Sequence, residues 1–446
     1  MFQLHDKTRR RICLAGFFMF CVAPTLGAAI WCAMRHLPWT AQEEAKCLGR
    51  QLGLEVRLAG LKNLRPGVVL YEGFELADPE TDQCLLRCRM LEVQWKTFAD
   101  GQGVRKPTLV LLASQPEIET AGLRQLGWLL QRAMQGQTGP TAVDLRVTAG
   151  ELTLRAGANS QTLTSVEGSL DNPPGGVQAI VAFRLAGIDM PEPVKIRVVR
   201  NRQTSPPASG FELYTGSGEL PCDLLAAGLP ELGALGSRCR FRGYIWANQD
   251  PGERAFENWS GEATGQFLGV DLDRLVGDNF PHKLSGAADV TIQTARFHNG
   301  RLAEARCTVV AGPGVVGRSL LQAAVKHLHF SSGANLDFLG EQVPYDRLAL
   351  DMVLDGAGLR IVGQCPSAIS GAVMTTDRQL CLLAAMEAQS QPVAAFIQTL
   401  APESAVQVPA AYQTDWLVTH LSMPQAAAPQ TREASLPSTH LRLKQE

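Results

Sequence analysis

VVLYEGFEL (68–76), followed after a short turn by LLRCRMLEVQW (85–95), is the stretch from which the fold class can be read. Apolar and polar residues alternate in both halves, the period of an extended strand with one face in a core. Leu54, Val56 and Leu58 keep that period upstream. Downstream it returns at 106–112, 116–119, 161–170, 177–185, 194–200, 211–220, 238–247, 263–270, 286–295 and 302–310, with Gly, Pro, Asn or Asp between the runs. The 42 glycines and 26 prolines suit a chain that turns this often. Val143, Leu145 and Val147 alternate before Gly150, and Leu152 and Leu154 alternate after it, which predicts a hairpin turning at that glycine. Two helices interrupt the strands. One covers 40–53, with Ala45, Leu48 and Leu52 on one side. The other covers 121–135, where Leu123, Leu126, Leu130 and Met134 recur at helical steps.

The first forty residues follow different rules. Arg9, Arg10 and Arg11 precede an uncharged run from Ile12 to Met34, long enough as a helix to cross ~30 Å of hydrocarbon. Basic residues on its N-terminal side predict that residues 1–11 stay in the cytoplasm and the body is exported. Trp31 and Trp39 bracket the exit, and Pro24 is expected to kink the span. The competing reading is a cleaved signal with Leu26-Gly27-Ala28-Ala29 as the small-residue site. The run exceeds the ~7 to 15 residues of a signal core, which favours a retained signal-anchor.

Composition excludes some classes. At 446 residues, 45% hydrophobic and 19% charged, most of the chain should fold. A net charge of -2 with scattered basic residues offers nucleic acid no footprint. The segment 201–210 (NRQTSPPASG) reads as an internal boundary or a long hairpin loop, and 421–446 as a disordered tail. Of eleven cysteines, only Cys84 and Cys88 are close in sequence, spaced to share a strand face, and no second pair completes a zinc set. Gly312-Pro313-Gly314-Val315-Val316-Gly317 matches a dinucleotide fingerprint literally, with Asp337 downstream. Its antiparallel context argues for a strand-to-helix turn instead. Asp271 and Asp273 read as helix caps rather than half a calcium loop. No nucleophile elbow or histidine cluster occurs, so no catalytic, cofactor or metal residue is assigned and a non-enzymatic protein is expected.

The layout resembles the AsmA-like family of bacterial envelope proteins, which includes AsmA, TamB and related bridge-like lipid transport proteins. The resemblance rests on the N-terminal span with its short helix and Leu52–Leu58, and on 66–76 with 91–95. It rests also on Val143–Leu154 and on Tyr345–Leu359 (YDRLALDMVLDGAGL), a strand, a glycine turn and a strand. It implies a mainly β fold, an elongated antiparallel sheet over 35–420 curled into a trough with an apolar lining. It further implies a single-pass inner-membrane protein with its bulk in the periplasm. Such a protein would bind or guide membrane lipids by their acyl chains, in outer-membrane assembly or lipid homeostasis. The alternative is a scaffolding envelope protein with β-sandwich domains that binds a protein partner; an exported hydrolase comes third. Lipid-contacting residues need the strand register, which alternation alone does not supply.

Overall fold

The computed structural model describes residues 6–34, 38–99, 105–136, 143–156, 159–173, 175–188, 190–205, 207–226, 230–249, 259–385 and 390–401; the segment 421–446 lies outside them. The protein is mainly β, with few short helices and one large curled sheet.

Helices α1 (Asp6–Phe17) and α2 (Ala23–Met34) are joined by a π turn, Phe18–Val22. Pro24 explains the turn: a proline nitrogen cannot donate, and a widened turn just before it relieves the clash with the preceding carbonyl. Thr25 Oγ1 donates to Cys21 O at 2.7 Å, a side-chain bond that reinforces the turn. Arg10–Ala29 is long and apolar enough to span a membrane, and none of it is buried against the rest of the chain. Arg9, Arg10 and Arg11 form part of α1 rather than preceding it. Trp31 and Met34 lie in its continuation α2.

Helix α3 (Pro38–Leu52) opens the body. The next strands are β1 (Glu55–Arg57), β2 (Gly60–Arg65), β3 (Val68–Ala77), β4 (Cys84–Ala99), β5 (Arg105–Ser114) and β6 (Glu117–Glu119). After α4 (Thr120–Met134) come β7 (Asp144–Ala156), β8 (Asn159–Asp171), β9 (Gly176–Leu185), β10 (Val194–Asn201), β11 (Ala208–Tyr214) and β12 (Leu220–Pro221). The four-residue α5 (Cys222–Leu225) precedes β13 (Arg240–Gln249), β14 (Trp259–Asp271), β15 (Ala287–His298), β16 (Arg301–Ala311) and β17 (Gly314–Gly317). Helix α6 (Arg318–His327), β18 (Gln342–Tyr345), β19 (Arg347–Asp355), β20 (Gly358–Gly363), β21 (Ala372–Thr375), β22 (Cys381–Ala384) and α7 (Val393–Leu400) complete the order.

All but β17 and β18 join one 20-stranded sheet. Four pairs of short strands lie end to end against a common neighbour, so the sheet is about 70 Å wide at its usual strand spacing. Neighbours pair antiparallel except at β7, which runs parallel to β5 and β6. A parallel pair needs a crossover from one end of the strands to the other, and α4 is that crossover. The sheet is therefore mixed at one junction. β10 and β11 pair directly from Lys195↔Tyr214 to Asn201↔Ala208, so 201–210 holds the ends of two hairpin-paired strands. β19 and β20 form the expected glycine-turned hairpin.

The hairpin expected at Gly150 is not formed: β7 runs through it as one strand. The change of alternating phase is real, and its cause is a crease. Pairing skips Gly73 (φ 58) between β3 and β4, and Gln115 (φ 49) separates β5 from β6. The β7–β8 ladder skips Gly150 and Ser165 (φ 51), and β14–β15 and β15–β16 shift register near Gly265 and Gln293. Such interruptions bend and twist strands. Aligned across neighbours, they curl the whole sheet.

Most of the core lies on one side of the crease, where Phe241, Leu185, Val270, Val316 and Leu321 are almost wholly buried; Leu213, across it, is buried too. The GPGVVG segment belongs to this region. β17 pairs antiparallel with β18 before α6, an arrangement foreign to a βαβ nucleotide site. Gly314 is required there by close approach, since a Cβ would stand 1.9 Å from Ser285 O.

Candidate functional site

Among the described residues no group of three or more His, Cys, Asp or Glu could hold a metal ion. Groups with perturbed acidity are scattered. Burial pushes the Tyr345 phenol up to about 12, keeping it a donor to Ser285 O at 2.6 Å, and burial likewise raises Cys307 to about 11. Asp271 Oδ1 accepts from the backbone N–H groups of Asp273 and Arg274, as a cap would, but Asp273 does not cap: it lies inside the turn and its carboxylate pairs with Lys283. Cys84 and Cys88 do not act together: Cys88 is buried, whereas Cys84 is half-buried with its thiol raised to about 11 by desolvation and Glu75. A register shift in the β3–β4 ladder separates them.

What the strands do assemble is a surface. Val69 stands opposite Val93, Val93 opposite Leu111, Leu111 opposite Val147, and Val147 opposite Gly168. The row continues through Val181, Ile196, Leu213, Ile245 and Ala263, then Ala295, Ala305, Leu354 and Leu359. Two residues further along each strand, or three in β16 where a register shift intervenes, lies a second row. It runs from Trp95 through Leu109, Leu145, Leu170, Ala179, Val198, Phe211, Ala247 and Gly261 to Phe297 and Leu302. Neither row contains a polar side chain. Side chains two apart share a face, so both belong to the same side of the sheet.

The opposite side has the reverse character. The row between these two on that side carries Arg146, Ser169, Arg197, Glu212, Glu262, Arg296 and Glu304, interrupted by Val110, Ile180 and Trp246. Arg197 and Glu212 pair at 3.3 Å, and Arg296 meets Glu304 at 3.0 Å. The Arg296–Glu304 pair is exposed and contributes little stability, whereas Arg197 and Glu212 are half-buried. Their significance is that charge, absent from the two apolar rows, is concentrated on this side.

The apolar rows are core in part, since Leu213, Leu354 and Leu359 are buried, and open elsewhere. Val181, Ile196, Phe211 and Ile245 are half-buried and border the main core. Trp95, at one end of the second row, is 55% exposed, and Phe297, near the other, is 39% exposed. Helices cover the rows in places. Ala45, Leu48 and Leu52 of α3 join a cluster with Tyr71, Phe74 and Leu76; Leu126 and Leu129 of α4 pack into the same cluster beside Leu91, Val93 and Ala113. The C-terminal end of α4 is held when Arg202, in the β10–β11 loop, donates to Met134 O at 2.7 Å. Val393 and Ile397 of α7 close the far end against Ala305, Leu354 and Leu359. Leu64, Trp95 and Phe98, on the first strands, are exposed, as is Trp39 at the start of α3.

The anchor residues fare as follows. Arg10, Arg11 and Ile12 are exposed, on a helix that is not buried against the described body. Arg9, Trp31 and Met34 sit at their helical positions, with side chains outside the described set. Membership of these rows depends on register, because a one-residue slip of any strand exchanges its two faces.

One buried histidine yields a pH prediction. His282 is buried, shares a 3.0 Å hydrogen bond with Ser319 Oγ, and its pKa is lowered by desolvation. The native state therefore resists a proton that the unfolded chain accepts near pH ~6.5, so stability falls as pH drops through that region. Thermal melts between pH 7.5 and 5.5 should show a shallower decline for His282→Gln than for the parent chain. Parallel declines would remove His282 from the account.

No protein-family model matches the chain, and no curated protein matches it.

Proposed function

We propose that this is a membrane-anchored cell-envelope protein whose curled sheet shelters lipid acyl chains along its apolar face. The bulk of the chain would lie in the periplasm, in the service of outer-membrane assembly or lipid homeostasis, in the manner of the AsmA-like family. The observation that carries the reading is the uninterrupted apolar row from Val69 to Leu359. A single sheet with one apolar face needs something to cover it. Here the helices cover only parts of it, and no second sheet of comparable size faces it among the described residues.

The magnitudes suit an acyl chain. One leaflet's chain is about 15 Å long, half the hydrocarbon thickness, so it would span three or four strand positions. Burying its methylenes at ~0.8 kcal/mol each gives roughly 10 kcal/mol before ordering costs are subtracted. The exposed Trp95, Phe98, Leu64 and Trp39 at the N-terminal end of the body suit the membrane interface, where aromatics concentrate. A row that begins at Trp95 would then open beside the leaflet holding the anchor.

The test is native mass spectrometry and solvent extraction of the full-length protein purified in a mild detergent. Phospholipid or another diacyl lipid retained at stoichiometric levels through extensive washing is the expected result. A protein that emerges lipid-free, and acquires none from vesicles of inner-membrane composition, would reject the reading in favour of a protein-binding scaffold.

A further inference from the structure

We infer that Cys222 and Cys239 form a disulfide in the mature protein. They lie seventeen positions apart with nothing in the intervening sequence to pair them, yet the fold sets them opposite each other. The β12–β13 ladder pairs Leu220 with Phe241 and Pro221 with Arg240, so the next position in register pairs Cys222 with Cys239. Cys222 N–H donates to Cys239 O at 2.9 Å, which extends the ladder by one bond. Directly opposed antiparallel residues have Cα separations of ~4.5–5.5 Å, inside the ~4.4–6.8 Å range a disulfide requires. The sulfurs are 2.7 Å apart, and both residues are almost wholly buried, at 0% and 1% exposure.

The other buried cysteines provide the contrast. Cys88 Sγ lies 2.9 Å from Met90 O, and Cys365 Sγ lies 3.2 Å from Val373 O. Each of these thiols has a carbonyl as its hydrogen-bond neighbour; Cys365 and Cys381 share a buried cluster, but among the described residues the direct sulfur-to-sulfur contact is that of Cys222 with Cys239.

The bond would staple the excursion between β12 and β13 to the sheet. That excursion includes α5 and carries Leu224, Leu225 and Leu235, which pack on the main core. The chemistry is thiol–disulfide exchange with an external disulfide, as supplied by an exported oxidoreductase or by oxidised glutathione. One cysteine thiolate attacks a sulfur of the donor, forming a mixed disulfide and expelling one donor thiolate. The second cysteine thiolate displaces the other donor thiolate, and the two protons leave with the donor thiols. The donor disulfide is reduced by two electrons as the pair is oxidised. Because both sulfurs are enclosed in the finished fold, oxidation must precede closure of this part of the core.

Differential alkylation tests this in the full-length protein. Cells are acid-quenched, the protein is denatured and labelled with one maleimide, then reduced and labelled with a second, and each cysteine is read by peptide mass mapping. Cys222 and Cys239 should carry only the second label, while Cys88 and Cys365 carry the first. The melting temperature should fall by a few degrees on reduction of the parent protein and not respond in the Cys222→Ala/Cys239→Ala double variant. First label on both Cys222 and Cys239 would overturn the inference. In that event, incubating the reduced, unfolded protein with oxidised glutathione during refolding identifies which premise failed. Oxidation there faults export to an oxidising compartment; persistent thiols fault the pairing. Neither result depends on whether lipid is bound.

Discussion

Full-length protein carrying Ile196→Asp and Phe211→Asp together should retain less than about a tenth of the acyl lipid held by the parent chain. Ile196 lies in the middle of the first apolar row and Phe211 in the second; they belong to neighbouring strands, and both are half-buried. A carboxylate facing hydrocarbon costs about 2.5–3.5 kcal/mol where water does not reach it, so two would cost more than a hundredfold in affinity. Partial hydration in an open groove reduces that, hence the tenfold floor. Because neither side chain is fully enclosed, folding should survive, and circular dichroism with a thermal melt checks this. Arg146→Ala on the opposite side of the sheet is the matched control, expected to leave bound lipid unchanged. Equal lipid in the folded double variant and the control would place any lipid elsewhere and end the case for this face.

The second large effect concerns the crease. Gly243 on β13 stands directly opposite Gly265 on β14. A Cβ on Gly243 would come within 2.2 Å of Thr264 O and 2.7 Å of the Gly265 Cα, and neither neighbour can withdraw without moving backbone. Gly265 has φ 147, a conformation L side chains rarely adopt, and a Cβ there would stand 2.3 Å from Arg242 O. Gly243→Ala should therefore cost about 3 kcal/mol in reversible denaturation, and Gly243→Val more. A control at Gly150, on the same crease but with nothing within 4 Å of an added Cβ, should cost far less as Gly150→Ala. If the two alanine variants have equal stability, the close approach of β13 and β14 is not what bends the sheet there.

Much of the architecture was legible. The helices α3 and α4 and the β19–β20 hairpin follow from local rules about helical periodicity and glycine turns. At Gly150 the same local reasoning failed instructively. The phase of alternation does change there, from Leu145 and Val147 to Leu152 and Leu154, and a turn is the usual cause. A crease in a continuous strand produces the same signature. The difference lies in the neighbours: Ser165 across the ladder and Gln115 beside it both take positive φ, which the sequence of β7 cannot report.

By itself the sequence determined the elements and their character. Period-two alternation is encoded within each strand, so it marks one apolar and one polar face wherever the strand ends up. The apolar run behind Arg9–Arg11 likewise carries its membrane-spanning capacity in its own composition. Tertiary structure alone decided which faces meet. The continuous row from Val69 to Leu359 exists because each strand takes one register out of many, and one residue of slip in any of them would break it. The parallel junction at β7 and the facing of Cys222 with Cys239 depend on the same non-local choice of partner. Pairing energy is a property of two strands together, so neither can be read from one.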